Sequence, residues 1–137
     1  MSYKYLTFLI IPVLIICGCR EEIIEPDNIA GNINQPVKTN HQNYYSFAIN
    51  AENISTNNID YTAFTGNLSR FSFSLNQYAS GKAEVLIYNR FNKIIFTAII
   101  DETNVGKSFS IENEQPFSIQ IKLNDFSGKL KITLSAQ

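Results

Sequence analysis

The sequence predicts an all-β domain over residues 44–137, an antiparallel β-sandwich or jelly roll of about eight strands. Three observations predict it. Apolar and polar residues alternate with a period of two, turn residues separate the candidate strands at intervals of about 8 to 14 residues, and no window has the period of an amphipathic helix. A signal peptide at 1–18 and a flexible tether at 19–43 are expected to precede the domain.

The first 18 residues have the layout of a secretory leader. Lys4 is the only charged residue, and the nearly apolar run "LTFLIIPVLII" follows at 6–16. A membrane-spanning helix needs about 20 apolar residues, so this run is too short, and Pro12 interrupts it. The leader therefore indicates export.

Cys19 is the expected site of lipid attachment. The sequence Ile16-Cys17-Gly18-Cys19 resembles the lipobox of bacterial lipoproteins, except that Ala or Ser is more usual at the position of Cys17. The resemblance implies transfer of diacylglycerol to the Cys19 thiol, cleavage after Gly18 and an acyl chain on the new amino terminus, which together anchor a protein stably. An uncleaved anchor or an ordinary secreted protein is the alternative.

The segment after Cys19 suggests which side of the membrane the domain faces. Arg20-Glu21-Glu22, followed by Glu25 and Asp27, resembles the export signal of Bacteroidota surface lipoproteins. The resemblance implies an outer-membrane lipoprotein displayed on the cell surface, with a periplasmic orientation as the alternative. Residues 20–43 contain prolines, Gly31 and many Asn and Gln without strand or helix period, as expected of a tether.

The strands follow in order along the body. In the clearest of them, Phe117, Ile119, Ile121 and Leu123 are predicted to face the core while the intervening polar residues face solvent. The segments "AEVLIYNR" and "KIIFTAII" are apolar on both faces, so they lie in the middle of the sandwich or one face meets a partner. Phe91 lies in the short turn between them. The eight predicted strands are 44–50, 59–65, 68–75, 83–90, 93–101, 107–112, 117–123 and 129–135.

Charge and composition exclude several function classes. The chain has 11 basic side chains, and removing Lys4 leaves 10 against 12 acidic ones, with no basic cluster of the kind that binds nucleic acid. The single histidine, His41, lies in the predicted tether, so a Ser-His-Asp triad has no base. No nucleotide-binding or hydrolase motif is present.

A small hydrolase with paired carboxylates is the remaining enzymatic alternative. Nothing in the sequence distinguishes one pair among the candidates, so we expect no enzyme. The candidates are Glu52, Asp60, Glu84, Asp101, Glu102, Glu112, Glu114 and Asp125.

A calcium site is a further hypothesis. The segment 50–60, interpreted as a loop, places the oxygen donors Glu52, Asn57 and Asp60 in one excursion between strands. The alternative is an Asn-rich turn, because Asn tolerates left-handed backbone. No other cofactor is expected.

These observations favour a non-catalytic interaction or binding module of the cell envelope. Tyr78, Tyr88 and Phe91 are the predicted contacts with a protein partner or ligand. Exposed tyrosines also suggest a carbohydrate-binding accessory lipoprotein, since flat rings stack on sugars, although the chain has no tryptophan. The order of strands and the sequence "GKAEVLIYNRFNKII" are similar to those of small accessory sandwiches appended to secreted proteases and glycan-degrading enzymes.

Overall fold

The computed structural model describes residues 31–137, which form an antiparallel β-sandwich of six strands. The strands are β1 (Val37–His41), β2 (Tyr44–Tyr61), β3 (Leu68–Tyr88), β4 (Ile94–Ile100), β5 (Gly106–Glu112) and β6 (Ser118–Ala136). Hydrogen bonding joins them in the order β1-β2-β6-β3-β4, and β5 pairs with the first half of β3. Within this part of the chain, no helix has the length and apolar character needed to cross a membrane.

Three strands, β2, β3 and β6, have 18, 21 and 19 residues and are far longer than ordinary strands. Each of them bends in the middle, so that one strand contributes to both layers of the sandwich. Fifteen residues of extended chain span about 50 Å. Tyr45 and Asp60 are 15 residues apart in β2, yet the Tyr45 hydroxyl donates to Asp60 Oδ2 at 2.8 Å. The strand must therefore fold back on itself, and its two halves belong to opposite layers.

The bends divide the sheet into two layers. Sheet 1 contains β1, residues 44–51 of β2, 128–136 of β6 and 68–76 of β3, and β5. Sheet 2 contains residues 54–61 of β2, 118–126 of β6 and 80–88 of β3, and β4. The inward residues of both layers form one core, with the rings of Phe71 and Phe96 4.7 Å apart across it.

Residues with left-handed backbone produce the bends. Asn53, Gln77 and Asp125 all have positive φ angles, and the strand register shifts beside them, as at β-bulges. Gly81 also has a positive φ, and a Cβ placed there would lie 2.3 Å from the Asp125 carbonyl oxygen. Only glycine fits such a close approach of two backbones.

Hydrogen bonds between strands fix the bends relative to one another. The Ser55 hydroxyl donates to Asp125 Oδ1 and accepts from the Asp125 amide, both at 2.9 Å. The Asn53 amide donates to Ser127 Oγ at 2.8 Å. The Tyr78 hydroxyl donates to the Gly81 carbonyl at 2.8 Å and so stabilises the bend of β3.

Three polar side chains, those of Lys38, Asp60 and Tyr45, connect the two layers at the edge where β1 lies. Lys38 in β1 forms an ion pair of 2.8 Å with Asp60 in sheet 2, and Asp60 accepts from the buried Tyr45 hydroxyl. Burial, together with the neighbouring carboxylate, raises the pKa of Tyr45 far above its usual range. Tyr45 therefore remains a neutral donor that connects the two layers.

The predicted fold class is confirmed, while several predicted details are corrected. Six of the eight predicted strands are halves of β2, β3 and β6, because the residues at the bends resemble those of turns. Strand β1 lies within the predicted tether, 19–43; it is an exposed edge strand with no buried face, so it lacks the alternation that predicts a strand. Phe117 precedes β6 and is 41% exposed rather than buried. The leader, Cys17 and Cys19 lie outside the described residues.

Candidate functional site

The outer faces of the two sheets differ in character. On sheet 1, the outward positions of the central strands are polar: Arg70, Ser72 and Ser74 in β3, and Lys131, Thr133 and Ser135 in β6. On sheet 2, aliphatic and aromatic residues occupy many outward positions. Sheet 1 also exposes Tyr44, Leu68 and Val37, but only to 36–46%. The more exposed apolar side chains of sheet 2 mark its outer face as the candidate interaction surface.

The register defines this surface, which we call the apolar face. It comprises Ile59, Tyr61, Leu86, Ile94, Ile99 and Phe117. Tyr61 and Ile94 lie in one cross-strand row with Ser118 and Tyr88, and Ile59 and Leu86 lie in the next row with Gln120 and Thr97. Tyr61 is 70% exposed, Ile59 57%, Ile99 54% and Ile94 50%, so these side chains extend into solvent rather than packing in the core.

Two aromatic rings define one side of the apolar face. Phe117 lies just before β6, where its amide donates to the Tyr88 carbonyl and its carbonyl accepts from the Thr62 amide, both at 2.8 Å. Its ring meets that of Tyr61 edge-on, with centroids 5.6 Å apart and planes at 68°. This pair is held by backbone bonds to both neighbouring strands, so the rings are presented in a fixed position.

Polar groups order the middle of the apolar face. The Tyr88 hydroxyl donates to Gln120 Oε1 at 2.9 Å, and Gln120 Nε2 donates to Asn57 Oδ1 at 2.8 Å. Lys122 and Glu84 form an ion pair of 3.4 Å in the following row. These side chains satisfy one another, which leaves the surrounding apolar groups free to contact a partner.

The β3–β4 turn carries Phe91 at the same end of sheet 2. Asn89 is buried, and its Oδ1 accepts from the amides of Phe91 at 2.9 Å and Lys93 at 3.1 Å. Asn89 Nδ2 donates to Glu114, which also forms an ion pair of 2.8 Å with Lys93. The hydrogen bond from Lys93, followed in size by the one from Asn89, lowers the pKa of Glu114. The turn is thus well ordered although the Phe91 ring is 82% exposed.

The structure places only two of the three predicted contact residues together. Tyr88 and Phe91 lie at the same end of sheet 2, beside Tyr61 and Ile94. Tyr78 lies elsewhere, at the bend of β3, where its ring packs against Phe126 and its hydroxyl bonds to Gly81. Its role in the fold is therefore structural, and it does not belong to the apolar face.

The predicted calcium ligands do not form a cluster. The segment 50–60 is part of β2 rather than a loop, and residues three apart in a strand project to opposite faces, as Asn57 and Asp60 do. Asn57 is bonded to Gln120 and Asp60 to Lys38, while Glu52 lies before the bend. Among residues 31–137, no three His, Cys, Asp or Glu side chains lie close enough to hold a metal ion.

A shallow depression of about 440 Å³ lies beside the bends. Three of the carboxylates considered for a hydrolase line it, namely Asp101, Glu102 and Asp125. The side chain and amide of Thr103 donate to Asp101, and these bonds lower its pKa. A general acid for glycoside hydrolysis needs a raised pKa. Asp101 is therefore unsuited to that role.

Comparisons with known proteins do not assign the chain to a family. No family model matches it, and no curated protein matches it. A solved chain of the Glycosylation Associate Protein (Gap123) complex from Streptococcus agalactiae is similar at 14% identity and a TM-score of 0.40. The match covers 80% of this chain and 41% of that one, so the present chain spans about two fifths of its length.

The predicted contact residues did not include Ile59, Tyr61, Ile94, Ile99 or Phe117, all of which are exposed. Ile59 and Tyr61 fell within the predicted strand 59–65, but interpreting the residues before it as a loop hid the alternation that continues through them. The alternation of "TNNIDY" at 56–61 was the available signal, because Asn57, Ile59 and Tyr61 recur at every second position.

Proposed function

We propose that this protein is a non-catalytic, lipid-anchored interaction module of the bacterial cell envelope that binds a protein partner through the apolar face of sheet 2. The greater exposure of large apolar side chains on this face than on the outer face of sheet 1 carries the proposal. Several large apolar side chains exposed on one face are typical of a surface that another molecule covers. Aromatic residues are also enriched where proteins meet.

The exposed rings supply roughly half of the area that such a contact needs. Phe91, Tyr61 and Phe117 are 82%, 70% and 41% exposed, and a buried aromatic residue removes about 150–250 Å² from water, so together they supply roughly 300–500 Å². A specific interface buries about 800 Å² on each partner. Ile59, Ile94 and Ile99 supply further area around them.

The ring geometry favours a protein partner over a sugar. Tyr61 and Phe117 are steeply inclined at 68° and do not form the coplanar platform on which a saccharide chain would stack. The hydroxyls of Tyr78 and Tyr88 are committed to hydrogen bonds within the fold. The carbohydrate-binding alternative therefore lacks a favouring observation.

The anchor is proposed from the leader sequence. Cys19 carries the diacylglycerol and acyl chain, and the domain is displayed on the outer face of the outer membrane. Its test is mass spectrometry of the amino-terminal peptide together with protease treatment of intact cells. Cys19→Ser should abolish acylation while Cys17→Ser should leave it unchanged, and replacing both Glu21 and Glu22 by Ala should protect the domain from protease.

Two tyrosines of one strand provide a matched test of the interaction surface. Tyr44 and Tyr61 are both exposed in β2, but Tyr44 lies on the outer face of sheet 1 and Tyr61 on the apolar face. The photoreactive residue p-benzoylphenylalanine replaces each in turn in the full chain, and intact cells are irradiated.

We expect a discrete protein adduct at position 61, much weaker at position 44, that disappears when Ile59→Asp is added. Equal adducts at both positions, or an adduct unaffected by Ile59→Asp, would show that the apolar face is not the interaction surface. Thermal unfolding of the Ile59→Asp chain provides the control, because Ile59 is exposed and its replacement should leave the melting temperature nearly unchanged.

A further inference from the structure

Strand β4 forms a free edge of sheet 2. Within the described residues it pairs only with β3, so its other side presents unpaired backbone donors and acceptors. Natural edge strands are usually protected by a charge, a proline or a bulge in their middle. The strand sequence "IIFTAII" contains neither a charge nor a proline, and its register shift against β3 lies near its start, at Ile95. The stretch from Phe96 to Ile100 is therefore regular and unpaired on its outer side, and β-branched residues favour pairing with another strand.

We propose that two copies of this protein pair antiparallel through β4, about a twofold axis at Thr97. The residue order around Thr97 is nearly the same in both directions. The larger Phe96 of each copy lies opposite the smaller Ala98 of the other, within the regular part of the strand. A twofold contact requires this kind of self-complementarity, because each copy contributes the same surface.

The charges at the two ends of β4 favour the same antiparallel arrangement. Lys93 precedes the strand and Asp101 follows it, so antiparallel pairing about Thr97 brings Lys93 of one copy towards Asp101 of the other at both ends, with the extra residue of the bulge at Ile95 on the Lys93 side. Parallel pairing would place like charges together. The Lys93 side chain is 68% exposed despite its ion pair with Glu114, so it is accessible to a second carboxylate.

Pairing would join the two copies of sheet 2 into one continuous eight-stranded sheet. Ile94 and Ile99 lie beside the junction, so the two apolar faces would become one larger surface. The dimer requires neither the lipid anchor nor any particular occupant of the apolar face, and its test is therefore independent of the proposed function.

Disulfide formation tests both the pairing and its register. Thr97→Cys and Ile99→Cys are introduced separately into the full chain carrying Cys17→Ser, and the cells are treated with a mild oxidant. Thr97 faces itself across the axis. Ile99 and its counterpart lie four residues apart along the paired strands, about 14 Å, and disulfides require Cα atoms within about 7 Å. Ser108→Cys on β5, the exposed edge strand of sheet 1, is the second control.

We expect Thr97→Cys to form a covalent dimer at least about fivefold more than Ile99→Cys or Ser108→Cys, as the distance limit requires. Adding Ile99→Lys should reduce this dimer, whereas Ile59→Lys on the opposite edge strand of sheet 2 should not. Similar cross-linking at all three positions would indicate random collision and overturn the proposal. No cross-link at Thr97→Cys, or a cross-link there to a different protein, would also overturn it.

Discussion

Replacement of Gly81 by alanine tests whether the bends hold the sandwich together. Gly81 lies in the bend of β3 at a φ of +81°, directly against the bend of β6. An added Cβ would lie 2.3 Å from the Asp125 carbonyl oxygen and 2.4 Å from that of Asn124. Both atoms belong to the backbone, so no rotation of a side chain relieves the contact.

The expected cost follows from two contributions. Left-handed backbone costs a residue with a Cβ about 1–2 kcal/mol. Overpacking that displaces backbone costs about 1–3 kcal/mol more. We therefore expect Gly81→Ala to lower the free energy of unfolding by about 2–5 kcal/mol, a large fraction of the total for a domain of this size.

Urea denaturation of the purified Cys19→Ser chain measures this change. Tyrosine fluorescence and circular dichroism follow it, because the protein contains 7 tyrosines and no tryptophan. Gly66→Ala is the matched control: a Cβ there meets no atom within 4 Å, and its φ is not left-handed, so the change in free energy should stay within about 1 kcal/mol. A Gly81→Ala chain as stable as the Gly66→Ala chain would refute the close approach of β3 and β6.

Three further changes test individual contacts. Tyr45→Phe removes the hydroxyl that donates to Asp60, and denaturation should show a loss of about 1.5–3 kcal/mol, as expected for a hydrogen bond to a charged group; an unchanged midpoint would contradict that contact. Ser69 is fully buried and its hydroxyl has no partner among the described residues, so Ser69→Ala should stabilise the fold by about 1 kcal/mol, and a loss of stability would reveal a partner. Glu114 has a lowered pKa, so its contribution to stability should be complete above its ordinary pKa of 4.5 and disappear as the pH falls through its folded-state value. In Glu114→Gln, thermal unfolding as a function of pH should lose this component, whereas an unaltered profile would show that the ion pair with Lys93 contributes nothing.

The sequence could predict which side of a strand faces the core, but not which neighbouring segments belong to one continuous strand. Period-two alternation located the buried residues Ile119, Ile121 and Leu123 correctly. It could not show that two neighbouring segments form one bent strand, because bulges and turns use the same residues. Asn53 and Asp125 take left-handed backbone at the bends, as Asn and Asp also do in turns.

The candidate site was predictable only in part for the same reason. Tyr88 and Phe91 stood out because "AEVLIYNR" and "KIIFTAII" are apolar on both faces of a strand. Tyr61 and Phe117 become neighbours only through the pairing of β2 with β6, which links residues far apart in the sequence. No local pattern carries that register.

The position of β6 has a consequence for the order in which the protein can fold. This last strand, Ser118–Ala136, lies between β2 and β3 in both layers. Until it emerges, β2 and β3 lack their longest partner, and neither layer can be completed. The arrangement therefore delays closure of both layers until residues 118–136 are available for pairing.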